Sequence, residues 1–389
     1  MTPLPVELLE AITKIVKHDG NPDLFSLRLV SKALNQISTP LAFREIVIKD
    51  SVKSARAVAF VQRCDDSLRS LVRGVVFSGD EEVTDTFAED NREALQIVFS
   101  GLGKFDNLKT LKLVFYGWFV EEDSSVMPED PSHYLLLQRQ IFRALSSSPP
   151  PESLVCLTME NVISMPDDIY LNADFHRIFT GLQDFSISTL SDAFLSLEAS
   201  YDFWQEPLVE FWAASMTAVV RACTGLTSLT IRSDQNVGTF TELSFDGISM
   251  PHLSSLILYT FSLEDDVVGF ILRHKATLQH LKLVECSIFV SEGGGFTRPW
   301  HAVFSLFEAE LHNLQDFVFD AFFDAKSLAD SDEFKRKSVL RYTRQDPHIG
   351  WGLMHLDLEE LPTANLDLSA LESLLAVVKS RRSSPPLEK

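Results

Sequence analysis

Catalytic chemistry shows first in the spacing of histidines, cysteines and carboxylates, and this chain of 389 residues carries 10 His, 4 Cys and 55 Asp plus Glu. No HExxH pair occurs, and no histidine lies near a cysteine at metal-ligand spacing, so no metal site is expected. Cys64, Cys156, Cys223 and Cys286 are far apart and form no CxxC pair. With no Asn-x-Ser/Thr sequon present, this usage suits a reducing cytosol or nucleus. The signatures GxSxG, GxGxxG and GxxxxGK[ST] are absent. The glycine triplet in residues 292–300 (EGGGFTRPW) lacks the Lys-Ser/Thr that a phosphate loop needs, and reads as a flexible turn. His274 and His280 lie six apart, at a predicted helix end and on a predicted strand. Carboxylates are plentiful but mark no pair. The chain is expected to carry neither catalytic residues nor a cofactor.

The elements that would position interacting residues begin at residues 4–48 (LPVELLEAITKIVKHDGNPDLFSLRLVSKALNQISTPLAFREIVI). A first amphipathic helix is predicted from Pro5 to about Lys17, since proline suits a first helical position and Leu8, Leu9, Ile12, Ile15 and Val16 recur at helical spacing. His18-Asp19-Gly20 ends it. Asn21-Pro22-Asp23 opens a second helix carrying Leu24, Leu27 and Val30, and a third runs from about Ser31 to Ile37. So few residues bury too little apolar surface to stand alone. Their leucines must be covered by the rest of the chain or by another protein.

Leu4-Pro5-x-Glu7-Leu8-Leu9-x-x-Ile12 followed by Asp23-Leu24-x-x-Leu27-x-Leu29-Val30-Ser31-Lys32 resembles the F-box. The continuation Ser38-Thr39-Pro40-Leu41-x-Phe43-Arg44-x-Ile46 is similar to a form common in fungal F-box proteins. The resemblance implies docking on a small acidic Skp adaptor, and through it on a cullin-RING ubiquitin ligase. The positions implied are Leu4, Pro5, Leu8, Leu9, Ile12, Leu24, Leu27 and Val30, with Leu34 where the family often has an aromatic residue. Residues 1–42 are read as this segment.

Net charge is −21, all of it beyond residue 50: the first fifty residues hold six basic and six acidic groups, the remainder 28 against 49. So acidic a body repels phosphate backbones and favours solubility, so no nucleic-acid partner is expected. No run of eighteen apolar residues occurs, and the start lacks a signal-peptide pattern, so no membrane partner is expected either. Hydrophobic residues at 45%, with 29 Phe, suffice for a large core.

An apolar-x-x-apolar-x-apolar pattern recurs from 43, 72, 108, 154, 182, 226, 253, 278, 314 and 353, at spacings of 25 to 46. Leu226/Leu229/Ile231, Leu253/Leu256/Leu258 and Leu278/Leu281/Leu283 are its clearest copies. Helical stretches lie between: Glu264-Asp265-Asp266 opens one with Val267, Val268, Ile271 and Leu272 on one face, and Phe304, Phe307 and Leu311 stripe another. Strand, helix and strand at such spacing make a crossover unit with parallel strands. The arrangement resembles a leucine-rich-repeat solenoid. The predicted fold class is therefore α/β: a three-helix F-box, then a curved parallel-sheet, leucine-rich-repeat-like solenoid over residues 43–378, then a disordered tail over 379–389.

Because strand side chains alternate, the second and third apolar residues of each copy point inward and their neighbours form the concave face. That face includes Arg232, Tyr259, His280, Lys282 and Val284, and is acidic towards its end at Asp316, Asp320, Asp357 and Glu359. It suits a polar or basic protein segment. Residues 121–131 (EEDSSVMPEDP) read as a solvated loop, the aromatics of 201–212 as core or as a partner anchor, and Lys335-Arg336-Lys337 with Arg341 and Arg344 as a solvated helix face or a nuclear signal. The expected function is that of a non-catalytic substrate receptor, cytoplasmic or nuclear, that joins an unknown protein target to a Skp-type adaptor. A scaffold that delivers no substrate, and an enzyme with its site in residues 191–212 or 291–301, are the alternatives.

Overall fold

The computed structural model describes residues 4–19, 21–79, 88–117, 133–191, 205–239, 241–291, 298–320, 340–345, 353–356 and 363–383. It is a mixed α/β protein with a nine-stranded parallel sheet whose strand order follows chain order. The chain divides into two compact units, Met1–Tyr116 with Gln140–Thr158 and Gly117–Arg139 with Met159–Lys389.

The first unit opens with α1 (Val6–Asp19), α2 (Asn21–Leu27) and α3 (Lys32–Ala42). Pro5 has no N–H to leave unpaired, and its carbonyl accepts from Leu8 N and Leu9 N. Ser31 caps α3 by accepting from Leu34 N at 3.2 Å. Arg28 joins α2 to α3: its Nε donates to Thr39 Oγ1 at 2.9 Å and its guanidinium lies 4.8 Å from the Phe43 ring centre. Helix α3 runs five residues past its predicted end at Ile37. Pro40 sits in the final turn, where its missing N–H forfeits one helical bond, and Phe43 N still reaches Thr39 O.

Strands β1 (Glu45–Lys49), β2 (Gly74–Ser78) and β3 (Thr110–Val114) follow, alternating with α4 (Val52–Val61), α5 (Asp66–Arg69) and α6 (Ala88–Ser100). Their registers align Ile48 with Phe77 and Phe77 with Leu113, all fully buried. One backbone contact recurs at successive strand starts. Arg44 O accepts from both Arg73 N and Gly74 N, Arg73 O from Lys109 N and Thr110 N, and Lys109 O from Val155 N and Cys156 N.

Helix α7 (His133–Ser146) and strand β4 (Cys156–Ile163) cross the division between the units. In the second unit, β5 (Asp184–Leu190), β6 (Ser228–Val237), β7 (Ser255–Phe261), β8 (His280–Val284) and later β10 (Asp316–Asp320) continue the sheet. The column Phe185–Leu229–Leu256–Leu281–Phe317 is in register and buried throughout. The carbonyls of Gln183, Thr227, Ser254 and Gln279 repeat the double acceptance. The helices are α8 (Ala173–Thr180), α9 (Gln205–Glu210), α10 (Thr217–Ala222), α11 (Asp265–Arg273), α12 (Trp300–Glu310) and α13 (Ala364–Ser383). As expected, α11 buries Val267, Val268 and Ile271, and α12 buries Phe304 and Phe307. Nine of the ten apolar triplets thus lead into the parallel sheet.

The triplet from Leu353 departs from the expectation. Its strand, β12 (Leu353–His355), pairs antiparallel with β11 (Arg341–Gln345), which in turn lies parallel to β9 (Ser287–Phe289) in a separate three-stranded sheet. The tail reading is also corrected for residues 379–383, because α13 continues to Ser383; residues 384–389 lie outside the described residues. Arg381 Nη1 and Nη2 donate to Leu311 O (2.7 Å) and Glu308 O (3.0 Å) and so tie that last turn to α12.

The fully buried Asp367 locks this end of the unit. Its Oδ1 accepts from His301 N (2.7 Å) and contacts His301 Nδ1 (2.8 Å), and its Oδ2 accepts from Tyr342 OH (2.8 Å). Trp300 N donates to Tyr342 OH, and Trp300 Nε1 to Arg341 O, both at 3.0 Å. One carboxylate therefore joins α12, β11 and α13. Replacing Asp367 by Ala leaves buried donors unpaired and should cost about 3 kcal/mol. Urea unfolding should show a lower midpoint at unchanged slope; an unmoved midpoint would mean that packing alone holds α13.

Candidate docking surfaces

Helix α1 carries apolar residues on two sides. Leu9, Thr13 and Val16 face the bundle: Thr13 is fully buried, its hydroxyl donating to Leu9 O at 2.7 Å, and Leu9 and Val16 are half-buried. Leu8, Ile12 and Ile15 recur at helical spacing on the adjacent stripe and are 50%, 40% and 66% exposed, with Leu4 exposed one turn earlier. Phe25, Leu29 and Val30 are exposed at and after the end of α2, Leu29 at 89%.

The bundle sorts the residues implied by the F-box resemblance. Leu4, Pro5, Leu8, Ile12 and Val30 face solvent, and Leu9 and Leu27 are half-buried. Leu24 and Leu34 are buried among the helices and so hold the bundle together instead of offering a surface. The short Leu34 side chain fits inside, where Ser38 Oγ bonds its carbonyl at 2.6 Å. Ile15, Phe25 and Leu29 are exposed members that the sequence reading did not assign. The signal was present in Ile15, one turn beyond Ile12 on the same stripe.

A second surface is the solvent face of β6, β7, β8 and β10. Arg232, Tyr259, Val284 and Asp320 stand in one register row, and Ser228, Ser255, His280 and Asp316 in another. Tyr259 is flanked by two cations, with the Arg232 guanidinium 5.6 Å and Lys282 Nζ 5.7 Å from its ring centre. His280 Nδ1 lies 4.0 Å from Asp316 Oδ2, both side chains half-exposed. The sequence-predicted residues Arg232, Tyr259, His280, Lys282, Asp316 and Asp320 therefore do share one face. Val284 does not: it is 2% exposed, at the last position before Glu285, whose φ of 55° ends the pleat. Asp316 and Asp320 stand at opposite ends of β10, about 13 Å apart along the strand, so they form no tight acidic cluster. Asp357 and Glu359 lie outside the described residues, as do residues 121–131, 201–204, 292–297 and 335–337. Of the aromatic segment near 201–212, Phe211 and Trp212 are described and fully buried, which makes them core.

Apart from the structural cluster of His301, Tyr342 and Asp367, the reactive groups His274, Cys223 and Cys286 are engaged in the core. His274 is buried and neutral, since burial lowers its pKa; Nδ1 contacts Phe270 O at 2.8 Å and Nε2 accepts from Met250 N at 3.1 Å. Burial pushes the Cys286 thiol up to about 12 and the Cys223 thiol higher still, the opposite of what a thiolate nucleophile needs. Among the described residues no group of three or more His, Cys, Asp or Glu is placed to hold a metal, and no helix is long and apolar enough to cross a membrane.

No protein-family model matches the chain, and no curated protein matches it. Among solved structures it is similar to the leucine-rich repeat-containing protein LegL7 from Legionella pneumophila. Identity is 12%, coverage is 70% of this chain and 93% of that one, and the TM-score is 0.21, too low to carry an argument.

Beside the second surface, Asp234 carries a testable titration. Its Oδ2 accepts from Ser191 N (2.8 Å) and Ser191 Oγ (3.2 Å), while Oδ1 is buried with no hydrogen-bond partner among the described residues. Burial raises this carboxyl to about 6, against the opposing pull of the Ser191 bonds and of Arg232. The folded group therefore holds its proton to higher pH than the unfolded one, near 4. Stability present below about pH 4 is lost as pH rises through about 6, by on the order of 1–3 kcal/mol. Asp234→Asn should flatten that part of the pH profile of thermal melting; an unchanged profile would assign the titration to another group.

Proposed function

We propose that the chain is a non-catalytic substrate-recognition subunit of a Skp–cullin–F-box ubiquitin ligase, acting in the cytoplasm or nucleus. The observation that carries this reading is the outward apolar stripe of Leu4, Leu8, Ile12 and Ile15, with Leu29 and Val30 exposed in the same three-helix segment. An apolar stripe left in water on a helix whose other side is already packed fits a partner surface. The resemblance of residues 4–46 to the F-box names the partner as a small acidic Skp-family adaptor. On this reading Leu24 and Leu34 set the spacing of the helices and the exposed residues meet the adaptor.

The target would lie on the face around Tyr259, where two cations flank an aromatic ring and His280 stands beside Asp316 of β10. Such a mixed surface suits a polar peptide segment with charges of both signs. Catalysis would then be by proximity: the adaptor is held at one surface and the target at another, and a separate conjugating enzyme supplies the thioester chemistry. The solenoid form of the repeats belongs to the same proposal, supported by the in-register parallel strands and the double-acceptor carbonyls between them.

Burying a leucine is worth roughly 1.5–3 kcal/mol, and about 1.4 kcal/mol is a tenfold change in affinity. Replacing Leu8 and Ile12 together by Ala should therefore weaken binding to a purified Skp adaptor by about one to two orders of magnitude. Far-ultraviolet dichroism and the melting temperature should hardly change, because neither side chain is inside the bundle. Absence of measurable adaptor binding by the wild-type chain at micromolar concentration would end this reading. Turnover of a captured protein in cells would distinguish delivery from scaffolding.

A further inference from the structure

The residue whose carbonyl accepts twice at the start of each repeat is Arg44, Arg73 and Lys109 before β2, β3 and β4, then Gln183, Thr227, Ser254 and Gln279 in the second unit. Only the instances in the first unit are charged, and all three are cations. Parallel strands stand about 4.8 Å apart, so the three backbones span about 10 Å in a straight row. All three residues are exposed, and none forms an ion pair with a carboxylate of the described residues. They line a cleft of about 760 Å³ together with Leu41 and Leu71. Among the described residues that line the cleft, the one carboxylate is that of Glu45.

At the sheet end of the cleft the side-chain row is interrupted by Gly74, between Glu45 on β1 and Thr110 on β3. A Cβ there would stand 2.8 Å from Thr110 Oγ1 and 3.5 Å from Glu45 Cγ. Gly74 is buried, and the space a side chain would need there is taken by the side chains of Thr110 and Glu45.

We propose that this cleft binds an acidic protein segment in which carboxylates alternate with apolar side chains. The three cations supply the charge complement, and they do so on a chain whose net charge is −21. Beyond roughly 8 Å that overall charge is screened at physiological salt, so a short segment feels the local cations. A long polyanion would run out over the acidic body and be repelled there. Leu41 and Leu71 favour a ligand with apolar side chains beside its acids, which a peptide has and a phosphate backbone lacks. Pro40, Leu41 and Arg44 of the cleft lie in the segment that resembles the F-box, but no cleft residue belongs to the α1 stripe, so substitutions at Arg73 and Lys109 test the cleft apart from docking by α1.

The test is fluorescence anisotropy of the full-length chain with a labelled peptide of alternating Glu and Leu. The same peptide with Lys for Glu, a DNA duplex and a single-stranded RNA serve as comparisons. Saturable binding of the Glu–Leu peptide is expected, weakening with added salt, with little binding of the Lys–Leu peptide. Charge reversal of Arg73→Glu with Lys109→Glu should weaken it about tenfold or more. The milder pair Arg73→Gln with Lys109→Gln should give an intermediate loss, with unchanged far-ultraviolet dichroism in both variants. Failure of the Glu–Leu peptide to bind, or equal binding by the variants, would overturn the proposal. So would tighter binding of DNA or RNA lost in the same variants, because the cleft would then be a phosphate site.

Discussion

The parallel sheet depends on one repeated backbone contact. At seven strand starts a single carbonyl receives two consecutive N–H groups from the next strand, as Arg44 does from Arg73 and Gly74 and Ser254 does from Gln279 and His280. Two bonds to one oxygen set the stagger between neighbouring strands before any side chain is considered. With that stagger set, Leu229, Leu256 and Leu281 fall into one column and Ile231, Leu258 and Leu283 into the next. A slip of one residue would turn every column to the solvent face. The apolar triplets and the carbonyl ladder therefore require the same register, and their agreement is what a foldable repeat needs.

Where the ladder ends or bends, buried polar side chains take over the pairing of backbone groups. Gln138 does so at the end of β4: Nε2 donates to Ile163 O at 3.1 Å and Oε1 accepts from Ile163 N at 2.8 Å, so the side chain acts like a short stretch of neighbouring strand. Asn91 accepts from Val52 N at 2.9 Å at the start of α4, and Asp367 gathers three donors from two elements. Each of these is a polar group taken out of water, tolerable because its hydrogen bonds are made. They stand where regular structure stops, which is where unpaired N–H and C=O groups would otherwise be buried.

The surfaces proposed for binding share the converse property, because they are places where the fold leaves something unmet. On α1 it is apolar area, on the Tyr259 face it is a ring held between cations, and in the cleft beside Gly74 it is a row of positive charge. Elsewhere among the described residues, burial pushes the Cys223 and Cys286 thiols away from the thiolate form, and His274 is used up by two backbone partners.

How much of this could be read without coordinates follows from the range of the interactions involved. The strands were legible because their signal is local: nine apolar triplets lead into nine parallel strands, and α11 and α12 bury the faces their spacing marks. The sharing of one face by Arg232, Tyr259, His280, Lys282, Asp316 and Asp320 was legible too, because alternation along a strand is as local as the strand itself. Other features were not. Leu353 heads an apolar triplet like the others, yet its strand joins β11 in a separate antiparallel pairing, because partner choice is made by distant residues such as Tyr342, whose carbonyl accepts from Leu356 N. The two sides of α1 read alike in sequence; only packing against α2 and α3 decides that Thr13 is inside and Ile12 outside. Arg44, Arg73 and Lys109 are 29 and 36 residues apart and form no cluster in the chain. They become a row only when the carbonyl ladder stacks their repeats, because strand spacing replaces chain distance once the sheet has formed.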